Sequence, residues 1–202
     1  QYNLNRKNNN CQFFEIGNVY QKDGSDYIER KQLVIGLTGM QQANHWRSNG
    51  QSNDFFYLKG IIEAICKRAG IVYTENTLKN KKHFSEGISL QSGQNVFGSI
   101  GRLDTSVFEG LSIENEVFAA EIDIEVYKAL ASNTAKHIQG ISKFPSVNRD
   151  LAFLVNRDVS FESLQKAAQE TEKKLLTSIQ LFDVYEGKGI PEGKKSYGLS
   201  FA

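Results

Sequence analysis

Cysteine is almost missing from this chain: Cys11 and Cys66 are the only two in 202 residues. Two thiols so far apart build no disulfide framework and have no metal-ligand spacing, so both are read as reduced thiols of a cytoplasmic protein. A charge of one sign is missing as well. The formal net charge is +1, with nine Lys/Arg against eight Asp/Glu in residues 143–202 and fifteen of each before them. That balance excludes a protein that grips nucleic acid by bulk charge. It leaves local basic positions, Arg149, Lys188, Lys194 and Lys195, to meet any polyanion. No apolar run approaches the roughly 20 residues of a membrane span, and the chain shows no signal-peptide pattern. Methionine occurs once, at Met40, and the chain opens on Gln1; it reads as a piece of a longer polypeptide.

Catalytic signatures are also lacking. There is no Walker-type phosphate loop, no GxSxG elbow, no HExxH and no paired CxxC. His45, His83 and His137 are scattered without ligand spacing, and Lys79, Lys81 and Lys82 read as a solvated loop. The glycines of GSIGR (98–102) fit a plain strand or bulge better than a GxxG loop. Glu121, Asp123 and Glu125 alternate with apolar residues. Three such carboxylates suit a cation, but alternation of this kind is what the wet side of a half-buried strand produces. Residues 1–142 assemble no nucleophile, base and oxyanion site, and read as scaffold.

What is present is alternation. FFEIGNVY (13–20) and Tyr27 to Thr38 read as strands around a QKDGSD turn, followed by a polar loop at 41–53 that holds the only tryptophan, Trp46. A helix starts near Asp54 with Leu58, Ile61, Ile62, Ile65, Cys66 and Ala69 at helical spacing, and Gly70 stops it. IVYTE (71–75), NVFGSIGRL (95–103) and EVFAAEIDI (116–124) read as further strands, and DIEVYKALA (123–131) as a short helix. The expected first domain, 1–142, is therefore an α+β fold of antiparallel sheet carrying one long helix. HIQGISKFPS (137–146) is the expected connector.

Residues 143–202 read strand, helix, strand, hairpin, strand. Leu151, Phe153 and Val155 oppose Ala152 and Leu154; Phe182 and Val184 oppose Asp183 and Tyr185; Tyr197, Leu199 and Phe201 oppose Ser196, Gly198 and Ser200. Ser160 is a good N-cap for a helix carrying Phe161, Leu164, Ala168, Thr171 and Leu175. One helix stripe covers one sheet face, with Phe153, Phe182, Val184, Leu199 and Phe201 expected beneath it. The Ala152/Asp183/Tyr185/Ser196 face is left open. Tyr185 with Asp183 suits a stacked base with an edge contact; a solvated face, or one covered by a partner domain, fits the pattern equally.

FPSVNRDLAFLV (144–155) and LFDVYEGKGIPEGKKSYGLSF (181–201) closely resemble the ferredoxin-fold anticodon-binding domain of the bacterial phenylalanyl-tRNA synthetase beta subunit. FFEIGNVY, WRSNGQSNDFFYLKG (46–60) and the helix after it resemble that subunit's catalytic-like domain. The His-Pro-Gly turn usual in the family is missing near ISLQSGQNVFG (88–98), where Gln91 to Gln94 form a loop of unassigned conformation. The resemblance implies a catalytically inactive class II synthetase-like domain over 1–142. It is followed over 143–202 by a ferredoxin-like βαββ(αβ) domain truncated before its last helix and strand.

The resemblance also implies an alpha2beta2 enzyme that joins phenylalanine to tRNA(Phe) with ATP and Mg2+, the alpha subunit performing the chemistry. This chain would hold no cofactor or metal of its own and would serve alpha-subunit assembly and anticodon recognition. Ala152, Asp183, Tyr185 and Ser196 are the implied anticodon-binding residues: Tyr185 stacks, Asp183 and Ser196 bond base edges, and Ala152 allows close approach. Two other readings remain. One is a structural module whose sheet face binds protein. The other is an independent adenylate-forming enzyme, for which Arg30, Arg47, Arg68 and Arg102 do not stand in the class II motifs that grip phosphate.

Overall fold

The alternation at 13–38 belongs to one long hairpin. In the computed structural model, which describes residues 2–47, 49–79, 83–111, 113–132 and 145–202, β1 (Cys11–Asp23) and β2 (Asp26–Thr38) pair antiparallel without a slip. Gly24 closes the turn at φ 61°, where glycine meets no Cβ clash. After a minor ribbon of β3 (Met40–Gln42) and β4 (Gln51–Ser52), the chain adds β5 (Thr74–Thr77), β6 (Phe84–Ser92), β7 (Asn95–Leu103) and β8 (Val117–Asp123). The six main strands form an antiparallel sheet in the order β1-β2-β8-β7-β6-β5.

Helix α1 (Phe55–Ala69) starts where expected, because the Asp54 carboxylate accepts from the Tyr57 N–H at 2.7 Å; such a cap contributes about 1 kcal/mol. Gly70 ends it at φ 73°, with the Ile71 N–H returning to the Cys66 carbonyl. Leu58, Ile62 and Cys66 are buried against Ile35, Leu37, Leu90, Phe97, Ile100, Ala120 and Ile122. The register Ile35↔Ala120↔Ile100 puts these strand residues on one sheet face. On the opposite face the row Gly36↔Ala119↔Gly101↔Gly87 is small, and Glu121 pairs with Ser99 and Val34.

Several elements depart from the sequence reading. β6 was not expected; its polar and glycine positions, with bulges at both ends of its pairing with β7, hide the apolar period. β5 begins at Thr74 rather than Ile71, because Ile71 closes the helix end and is buried. The 41–53 loop contains the β3–β4 pair, anchored by Asn53, whose side chain donates to the Thr38 carbonyl and accepts from Gln12. Of Gln91 to Gln94, the first two end β6 and Gly93 and Gln94 make the turn into β7, with Gly93 at φ 59°.

Of the three carboxylates, Glu121 and Asp123 share the sheet face opposite the core and Glu125 leaves it in the helix that follows. Asp123 accepts the Glu125 and Val126 N–H groups to open α2 (Ile124–Ser132), and Glu125 pairs with Lys128 at 3.0 Å. Among the described residues no group of three or more His, Cys, Asp or Glu is placed to hold a metal ion. Lys81, Lys82 and His137 lie outside the described residues, as does the 142/143 boundary; of the connector only Pro145 and Ser146 are described. Contacts divide the chain into two units, Gln1–His137 and Ile138–Ala202. No helix among the described residues is long and apolar enough to cross a membrane.

Burial in the first unit has an alkaline signature. The Cys66 thiol is pushed up from 9.0 to about 11 by burial. Tyr73 is pushed from 10.0 to about 12 by burial first, then by repulsion from Cys66, Glu75 and Glu63. Both groups are held protonated by the fold, so they bind protons more tightly folded than unfolded. Their contribution is complete below about pH 9 and is lost as pH rises through 11 and 12. Chemical denaturation at a series of pH values should show stability falling across that window. Cys66→Ala should remove the lower part of the fall; an unchanged profile in that variant would contradict this origin.

Candidate nucleic-acid interface

The second unit is built from β9 (Arg149–Asn156), α3 (Phe161–Thr171), β10 (Ile179–Tyr185) and β11 (Lys194–Phe201), with the sheet order β10-β11-β9. α3 starts as expected, the Ser163 N–H donating to the Ser160 hydroxyl at 3.2 Å. It stops at Thr171, short of Leu175. The Glu172 carboxylate accepts the Lys174 and Leu175 N–H groups and turns the chain away. Those bonds hold the Glu172 carboxyl below its ordinary pKa.

Registry assigns each side chain to a face. Leu181↔Leu199↔Leu151 and Val184↔Tyr197↔Phe153 lie on the helix side. There Leu164, Ala168 and Thr171 of α3 face Leu151, Phe153, Leu199 and Phe201 across an open apolar groove of about 520 Å³. Leu199 is buried and Leu151 is half bare. The other face carries two adjacent rows, Asp183↔Gly198↔Ala152 and Tyr185↔Ser196↔Leu154. Ala152, Asp183, Tyr185 and Ser196 therefore come together on one surface.

Tyr185 is fixed on that surface. Its hydroxyl donates to the Lys188 carbonyl at 3.1 Å, and its ring lies against Gly187, where an added Cβ would sit 2.9 Å from the phenol oxygen. The hairpin beyond it turns through Gly189 at φ 94° and Gly193 at φ 76°. The Arg157 guanidinium pairs with Glu186 at its foot, Nε to Oε2 at 2.9 Å.

One expected placement is wrong. The pairing of β10 with β11 slips between Leu181 and Asp183, leaving Phe182 outside the ladder. At such a bulge two successive residues oppose one, so strict alternation breaks. Phe182 does not lie under the helix: its ring sits over Gly198, with Cε2 and Cζ 2.7 and 2.9 Å from where a Cβ at 198 would be. It shares the face of Asp183. The signal that could have revealed this was Gly198, since glycine inside a strand marks a bulge or a close approach. The basic positions also divide. Lys194 stands in the row after Ser196 on the open face, whereas Arg149 lines the apolar groove and Lys195 rests over the Tyr197 ring at 4.7 Å.

In the first unit, Arg102 is occupied by carboxylates, Glu116 at 2.6 Å and Glu86 at 3.2 Å. Its guanidinium is held by protein acids and is not presented to a phosphate.

A three-stranded antiparallel sheet with one helix on one side and the other side open is a ferredoxin-like arrangement. Residues 142–202 match the family described as "Ferredoxin-fold anticodon binding domain", and residues 1–124 match "Phenylalanyl tRNA synthetase beta chain CLM domain". The chain is 37% identical over 213 residues to the phenylalanine–tRNA ligase beta subunit of Bacteroides thetaiotaomicron, covering 99% of this chain and 26% of that protein. It is 34% identical over 216 residues to the corresponding subunit of Porphyromonas gingivalis, with the same two coverages. The chain belongs to the phenylalanine–tRNA ligase beta subunit family. It spans about a quarter of the length of these relatives.

Proposed function

We propose that this chain is the assembly and anticodon-reading part of a phenylalanine–tRNA ligase beta subunit, and performs none of the chemistry itself. The observation that carries the reading is the exposed face of the second unit. Two neighbouring strand rows bring Ala152, Asp183, Tyr185 and Ser196 together around a tyrosine held by its own hairpin. Tyr185 supplies a stacking surface already fixed in place, so little side-chain freedom is lost on binding. Asp183 accepts from a base edge, Ser196 donates or accepts beside it, and the small Ala152 leaves room for a base to approach the backbone.

The first unit supports assembly. Its outer strand β1 exposes Phe13, Phe14, Ile16, Val19 and Tyr20, a density of apolar surface at a sheet edge that favours a protein partner. That partner is the alpha subunit of an alpha2beta2 enzyme in the cytoplasm, which would bind ATP and Mg2+ and charge tRNA(Phe). The groove beside α3 is where the second helix of a complete ferredoxin-like fold would pack.

Tyr185→Ala tests the RNA reading. In a two-subunit ligase carrying this chain, binding of tRNA should weaken by about 1–3 kcal/mol, the value of one stacked base. Tyr185→Phe keeps the ring and loses only the hydroxyl anchor, so its loss should be smaller. Unchanged tRNA affinity in Tyr185→Ala, measured by filter binding, would assign this face to a protein partner. Phenylalanine-dependent pyrophosphate exchange by the chain without an alpha subunit would instead make it an enzyme in its own right.

A further inference from the structure

We infer that Phe182 is a second base platform on the same sheet face, so that the second unit takes two unstacked bases, one on each aromatic ring. The inference rests on the anticodon reading above and adds to it a residue that strict alternation hides beneath the helix.

Three features of Phe182 point the same way. The bulge leaves it outside the β10–β11 ladder, so its backbone position is set by the irregularity itself. The ring lies over Gly198, and any side chain at 198 would force it to move. Gly198 is thus a seat for the ring as well as a gap in the sheet. Phe182 is also 60% exposed while Leu199, on the neighbouring strand and the opposite face, is 2% exposed. A phenylalanine held against the sheet yet open to water leaves apolar area that a flat ligand would cover.

Its neighbours suit base edges. Gln180 and Ser200 pair in the row on one side of it and Asp183 lies on the other, so amide, hydroxyl and carboxylate groups flank the ring. Tyr185 is three residues further along β10, about 7–10 Å away at strand rise. That separation keeps two bases from stacking on each other and gives each its own ring. On the four-stranded sheet of RRM domains, aromatic side chains stack two or three splayed bases in the same manner.

The test uses a ligase carrying this chain and RNA hairpins of the anticodon arm, each with one anticodon nucleotide made abasic. Phe182→Ala should weaken binding of the intact hairpin about tenfold, in line with one lost stack. It should also make binding indifferent to abasic replacement at one anticodon position. Tyr185→Ala should be indifferent at a different position, and Phe182→Trp should bind at least as tightly as the unaltered protein. Wild-type affinity in Phe182→Ala, with Tyr185→Ala still weakened, removes Phe182 from the site and leaves the anticodon reading standing. An equal loss on every hairpin marks a fold defect and also overturns the platform. Weaker recovery of the alpha subunit with unchanged RNA binding would make Phe182 a protein contact. No effect of either Ala variant on RNA defeats the anticodon reading, and this inference with it.

Discussion

Phe97→Ala should destabilise the first unit by about 3–5 kcal/mol, the cost of emptying a large aromatic site in a packed core. Phe97 is 1% exposed and packs edge-on against Tyr73, ring centres 5.8 Å apart at 79°. It belongs to the cluster that joins α1 to the sheet. The register of β6 with β7 slips between Leu90 and Gln91, where Gly98 pairs with Leu90 and Val96 with Gln91, so Phe97 is the unmatched residue of a bulge. No neighbouring strand residue can slide in to replace it without changing that register. Urea denaturation should show a lower midpoint with little change in slope. A loss under about 1 kcal/mol would mean that the surrounding side chains collapse into the space.

Gly101→Val should be at least as damaging, through the backbone. A Cβ at Gly101 would sit 2.3 Å from the Glu86 carbonyl oxygen, and one at Gly87 would sit 2.4 Å from the Ile100 carbonyl. The two glycines are paired across β6 and β7, and each occupies space that the other's strand needs. Valine favours strands in general, so propensity alone predicts a gain. The contact predicts the reverse: β6 and β7 must separate, at a cost of roughly 3 kcal/mol or more, beyond ordinary overpacking. Amide exchange along β6 and β7 should accelerate in the variant. Protection equal to the parent protein would refute the close approach.

Much of the scaffold was legible in the chain. Asp54 and Gly70 marked both ends of α1, and the alternation of 13–38 gave the hairpin that forms β1 and β2. The open-face positions Ala152, Asp183, Tyr185 and Ser196 also followed from parity, since each lies where the local period of two holds from its own strand's register. What could not be read were the irregularities. β6 was hidden by Gly87 and by bulges at both ends of its pairing with β7. Leu175 continues the apolar spacing of α3 although Glu172 has already redirected the chain, so the pattern overstates the helix length.

Phe97 and Phe182 show where the division falls. Each precedes a residue that pairs in the ladder while it does not itself pair, one beside Gly98 and the other facing Gly198. One ring is buried in the core and the other stands on an exposed face. The cleanly alternating strands and both ends of α1 are written in the residue order, whereas β6 and the β3–β4 ribbon are not. Where a strand takes one residue more than its partner is set by the packed sheet, because a bulge is a property of the pair. At that point two successive side chains share a face, and a phenylalanine assigned to the helix side arrives on the face proposed to read RNA.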